Sequence, residues 1–116
     1  MSYDSQTFIA NRRDFDTSYT NEFDQNQTAA ALITPTSGKL LQIVGVYVAT
    51  EATSGTLRLY MGTSSNTIVQ MYASSGDTKA GYIPLSIVGT RNEVLRITST
   101  LGADNNYWIL VNYKER

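Results

Sequence analysis

The chain has 116 residues, 41% of them hydrophobic, a formal charge of −1, and neither cysteine nor histidine. That length suits one domain with an ordinary core. The missing residue types exclude disulfides, thiolate catalysis, zinc–thiolate sites and the usual general base, and the near-neutral charge gives no global pull toward nucleic acid or an anionic membrane.

Residues 1–27 read as an N-terminal arm. "MSYDSQTF" has no basic or apolar region of a signal peptide, and no run approaches the roughly 20 apolar residues of a membrane span, so synthesis and solubility in the cytoplasm are expected. Asp14, Asp16 and Glu22 stand against Arg12 and Arg13, yet Phe8, Ile9, Phe15 and Phe23 are interspersed. A solvated tail is poor in such residues, so the arm is expected to lie on its own domain or on a neighbour. Arg12 and Arg13 suit phosphate or a partner's carboxylates, or more simply salt bridges within the arm. Asp14, Asp16, Ser18, Thr20 and Glu22 alternate as in a calcium loop, but Tyr19 stands where the turn needs glycine and Gln25 where a bidentate glutamate belongs.

From residue 28 to 116 the pattern is strand, turn, strand. Thr28–Thr34 is stopped by Pro35 and the turn "PTSGK", and Lys39–Thr50 follows. "EATSG" leads to Thr56–Met61, "GTSSN" to Thr67–Ala73, and "SSGDTKAG" to Tyr82–Val88, where Pro84 argues for an edge or a bulge. "GTRN" precedes Glu93–Ser99, and "TLGADNN" turns into Asn106–Lys114. Short strands at this spacing with Gly/Ser/Asn turns predict an all-β, antiparallel sandwich. The alternation predicts Leu57, Leu59, Ile83, Leu85, Leu95, Ile97, Ile109 and Val111 in the core.

Two strands are apolar on both alternating sets. Leu40, Val44, Val46 and Val48 oppose Leu41, Ile43 and Tyr47; Tyr107, Ile109, Val111 and Tyr113 oppose Trp108 and Leu110. A sandwich covers one face of each sheet, so the second set is expected to meet the arm or another chain. Leu41, Ile43, Tyr47 and Trp108 are thus candidate interface residues.

Catalytic chemistry finds little support. Glu51, Asp77, Glu93, Asp104 and Glu115 fall at turns or strand ends rather than as a pair across a cleft, and a Ser/His/Asp arrangement is impossible without histidine. "NQT" at 26–28 has no secretory context, and "SGKLL" lacks the first glycine of a phosphate loop. No enzyme, metal or cofactor is expected. Tyr60, Tyr72 and Tyr82, on outward phases, remain as residues that anchor a protein contact, stack on sugar rings, or simply fill a strand surface.

"LITPTSGKLLQIVGVYVATEATSGTLRLYMGTSSNTIVQMYAS", followed by "NEVLRITSTLGADNNYWILVNYKE", resembles the small jelly-roll virion proteins of tailed bacteriophages, of the capsid decoration and head-fibre type. The resemblance lies in an "SGK" turn before a "GV.V" strand, an "SGT" turn before a strand ending in glycine, and a close on "VNY" with an acidic residue nearby. It covers residues 32–116 and implies a jelly roll of about eight strands and a non-catalytic role in the virion. The implied partners are capsid or other virion proteins, with a homo-oligomer (dimer or trimer), no nucleic acid and no membrane. Related sandwiches in tail proteins leave a carbohydrate- or receptor-binding module as the alternative.

Overall fold

The β-branched and aromatic residues of each predicted segment do form strands. The computed structural model describes residues 17–73, 79–101 and 106–116. They build β1 (Thr17–Phe23), β2 (Gln27–Ile33), β3 (Leu41–Thr50), β4 (Thr56–Met61), β5 (Thr67–Tyr72), β6 (Lys79–Val88), β7 (Leu95–Ser99) and β8 (Tyr107–Glu115). Helical structure among the described residues is one 3-10 turn, Ser64–Asn66.

Two four-stranded antiparallel sheets result, in the orders β1-β8-β3-β6 and β2-β7-β4-β5. The pairs β1·β8, β2·β7, β3·β6 and β4·β5 nest inside one another, which is one long antiparallel ribbon rolled up so that its halves face each other. That is the jelly roll.

The eighth strand comes from the segment read as arm. Thr17–Phe23 pairs along its whole length with β8, from Thr17 opposite Tyr113 to Phe23 opposite Tyr107. The sandwich therefore includes Thr17–Phe23, ahead of the boundary expected at residue 28. On this phase Tyr19 and Phe23 pack against the core, and the Phe23 ring stacks on Tyr107 with centroids 5.2 Å apart.

Between the sheets lie the inward residues of β3, β4, β7 and β8. Of the eight predicted core residues, Leu57, Leu59, Leu95, Ile97, Ile109 and Val111 are fully buried. Ile83 is 39% exposed and Leu85 half-buried. Both sit on β6, which has no neighbour beyond it among the described residues, so their phase is inward but their flank is only partly covered. Pro84 fits that edge, where a missing N–H costs no ladder bond.

The turns explain the glycines and the final acidic residue. Gly55 has φ +112°, and a Cβ there would sit 2.6 Å from the Thr100 carbonyl oxygen, so only glycine fits. At the opposite end Glu115 closes the "PTSGK" turn: its carboxylate accepts from the Thr36 N–H at 2.5 Å and the Thr36 hydroxyl at 3.2 Å.

Candidate functional site

A β-bulge resolves the two-faced strand β3. Ile43 pairs with Tyr113 and Gly45 with the adjacent Asn112, so one residue, Val44, is extra on β3. The bulge flips the side-chain phase by one. Leu41 and Ile43 point inward before it, Val46 and Val48 after it, and all four are at most 3% exposed. Leu41 and Ile43 are therefore core residues rather than interface residues. A strict period of two, run through Gly45, had split one inward face into two.

A smaller apolar surface remains on the outside of β1-β8-β3-β6. Register places Thr20, Leu110, Tyr47 and Tyr82 in one cross-strand row and Glu22, Trp108, Ala49 and Ala80 in the next. Tyr47 is 37% and Tyr82 49% exposed, while Trp108 and Leu110 are half-buried. Outer faces of antiparallel sheets are commonly polar, so four large side chains side by side stand out there as an apolar patch.

Gly45 shapes that surface. A Cβ on it would fall 1.7 Å from the Tyr82 Oη and 2.3 Å from Cζ. The missing side chain lets the Tyr82 ring lie flat across β3, where its hydroxyl accepts from Asn112 Nδ2 on β8 at 3.2 Å. One aromatic thus spans three strands and presents its ring to the outside.

The other outer face is different. It carries Arg58, Gln70, Tyr72, Arg96 and Thr98. Tyr60, assigned to the interface from its phase, is only 5% exposed: its hydroxyl is 3.1 Å from Thr98 Oγ1 on β7, so its own sheet covers it. Tyr72 is 64% exposed and accepts from Gln70 Nε2. Phe8, Ile9, Arg12, Arg13 and Phe15 lie outside the described residues.

Sequence reasoning missed a buried polar relay at the β1–β2 corner. The Gln27 N–H donates to Ser99 Oγ (3.2 Å), Ser99 Oγ lies 2.5 Å from the Tyr107 hydroxyl, and that hydroxyl donates to the Gln25 carbonyl (2.9 Å). Tyr107 is fully buried. Burial raises its pKa above the ordinary value, the Ser99 bond opposes that, and the negative field of Asp24 adds to it. A group raised on folding contributes stability that is fully present below its unfolded pKa of about 10 and is lost as pH climbs through the folded value. Tyr107→Phe is therefore expected to cost about 1–3 kcal/mol at neutral pH by leaving Ser99 and the Gln25 carbonyl short of partners. Denaturation curves should show the gap between wild type and variant closing above about pH 10; a gap constant with pH would refute the relay.

Among the described residues no three Asp or Glu side chains cluster as metal ligands would. Two grooves open between the β5 and β6 edges, of about 480 and 210 Å³. The larger has Met61, Ile68, Ile87 and Val88 in its wall, with Glu93 as its titratable group. That carboxylate is engaged with the Thr90 N–H at 3.0 Å.

No protein-family model matches the chain, and no curated protein sequence matches it. Among solved structures, a chain from the acidic-stable capsid structure of Helicobacter pylori bacteriophage KHP30 is similar with a TM-score of 0.63 at 17% identity, over 85% of this chain and 88% of that one. A chain from the structure of infectious bursal disease virus Gx strain is matched over 85% of this chain but 28% of its own length, at 14% identity and a TM-score of 0.38. The phage likeness shows the fold: the described residues form an eight-stranded antiparallel jelly roll.

Proposed function

We propose that the chain is a non-catalytic structural protein of a virion, of the capsid decoration or cement type, acting at contacts with capsid or other virion subunits. The carrying observation is the likeness to the phage capsid chain, which spans 85% of this chain and 88% of that one. The sheet face around Tyr47, Tyr82, Trp108 and Leu110 supplies the contact. Burying a large apolar side chain there is worth roughly 1.5–3 kcal/mol, discounted for the area each already hides. A few such contacts hold a shell against expansion.

The test is gradient purification of particles from a host expressing the gene. The protein is expected to band with the particles at fixed stoichiometry, and a Tyr47→Asp/Leu110→Asp variant, folded by circular dichroism, to stay at the top of the gradient. A wild-type protein that never bands with particles would sink the proposal.

One observation favours carbohydrate or receptor binding as a second reading: Tyr72 is 64% exposed on a polar face, a platform for a sugar ring. Glycan-array binding lost in Tyr72→Ala would favour it.

A further inference from the structure

The aromatic face carries its own electrostatic complement. At one end, Glu22 stands exposed in the row of Trp108, and Asp24 and Glu51 flank the same end of the sheet. At the other end, Lys114 lies in the row of Gln42 and Val88, with Lys39 and Arg116 beside it. Between the two ends run Leu110, Tyr47 and Tyr82. The half-buried Lys114 ammonium has no acceptor among the described residues, and Glu22 has one neutral donor, Asn106 Nδ2 at 2.8 Å.

We infer that this face takes a second copy of the chain, turned end for end, in a two-fold contact. The contact presupposes the reading above that the face is an interface; the identity of its occupant is the new element. A two-fold axis lying in the face and parallel to the strands would bring the two acidic ends to the same end of the contact and the two basic ends to the other. An axis in the face but perpendicular to the strands exchanges the ends. Glu22 on β1 then meets Lys114 on the partner's β8, a neighbouring column, and symmetry makes that pair twice. The apolar middle rows close on each other as sheets pack in a sandwich.

Area sets the strength. Four strand spacings by seven residues give a footprint of roughly 450 Å² before side-chain relief, against about 800 Å² per partner in a standard interface. The dimer is therefore expected to be reversible at micromolar concentration rather than permanent.

Sedimentation equilibrium of the full chain across a micromolar series should show mass rising from 12.8 kDa toward twice that value. Glu22→Lys and Lys114→Glu should each weaken the dimer by about tenfold or more, because each sets like charges against one another. The double swap Glu22→Lys/Lys114→Glu should return to within about threefold of wild type, since the pair is restored with signs exchanged. Thermal melts of all three variants check folding. A double swap as weak as the single variants, or a wild type of single mass throughout, overturns the inference. The two readings fail separately: if the wild type is monomeric and the Tyr47→Asp/Leu110→Asp variant still leaves the particles, the dimer falls and the interface stands. If that variant remains on the particles while the wild type dimerises and the double swap restores the dimer, the particle contact falls and the dimer stands.

Discussion

A chain lacking residues 1–24 is expected to melt roughly 10–20 °C below the full-length protein, or to fail to fold, while a chain lacking only residues 1–16 keeps all eight strands. The difference lies in β1. Removing Thr17–Phe23 strips β8 of its partner along seven residues and turns an interior strand into an edge. It also removes Tyr19 and Phe23 from the flank of the core, and with Phe23 the ring stacked on Tyr107. Each of those side chains is half-buried, so each is worth roughly 1–2 kcal/mol rather than the full value for a large apolar group. Together with the loosened Gln25–Tyr107 corner the loss is about 3 kcal/mol or more, a large share of the roughly 5–15 kcal/mol that holds a domain folded. Thermal melts of the two truncations side by side make the measurement. Equal melting temperatures would mean that β1 contributes nothing and that the jelly roll is stable with seven strands. The pair of truncations also separates two roles: assembly lost on removing residues 1–16 alone, with the melt unchanged, belongs to the arm and not to the fold.

Much of this architecture was legible in the sequence because turns and strands announce themselves locally. Gly38, Gly55 and Gly62 all sit at positive φ in turns that the "SGK", "SGT" and "MGT" stretches mark, and the seven strands from β2 to β8 follow the alternation between them. What escaped depended on partners distant in sequence. β1 has only Tyr19 and Phe23 on its inward phase, too few to stand out in an acidic stretch, and it is a strand because β8 is beside it. Ile83 has the right phase, but its exposure is set by the place of β6 at the sheet edge, which no local pattern encodes. Tyr60 is covered through Thr98, a contact across 38 residues. Tyr107 was placed on the inward side, but its relay of three hydrogen bonds joins residues from both sheets and a corner. The aromatic outer face was half visible: Tyr47, Tyr82 and Trp108 were singled out, whereas Gly45, which lets Tyr82 lie down, gave only the signal of a glycine inside a strand.

The bulge itself is open to direct test, because it assigns opposite fates to neighbours in sequence. Ile43→Ala is expected to destabilise the fold by about 2–5 kcal/mol, the cost of a large-to-small change in a packed core. Tyr47→Ala, four residues on, is expected to cost within about 1 kcal/mol, because its ring is already 37% exposed. Without Val44 as the extra residue the two would share a phase, 43 and 47 being an even number of steps apart, and both side chains would be core or both surface. Urea unfolding of each variant gives the comparison: the midpoint should fall steeply for Ile43→Ala and little for Tyr47→Ala, with unchanged slopes. Assembly should respond in the reverse order, Tyr47→Ala weakening the contact and Ile43→Ala sparing it wherever the protein remains folded. Gly45→Ala completes the set. Its methyl group lifts the Tyr82 ring off β3 and breaks the bond to Asn112; the ring is half-exposed and free to swing outward, so the cost to stability is small and the cost to the flat contact surface large. If Ile43→Ala leaves stability untouched and abolishes assembly instead, the phase flip at Gly45 is wrong, and Leu41 and Ile43 return to the outer face.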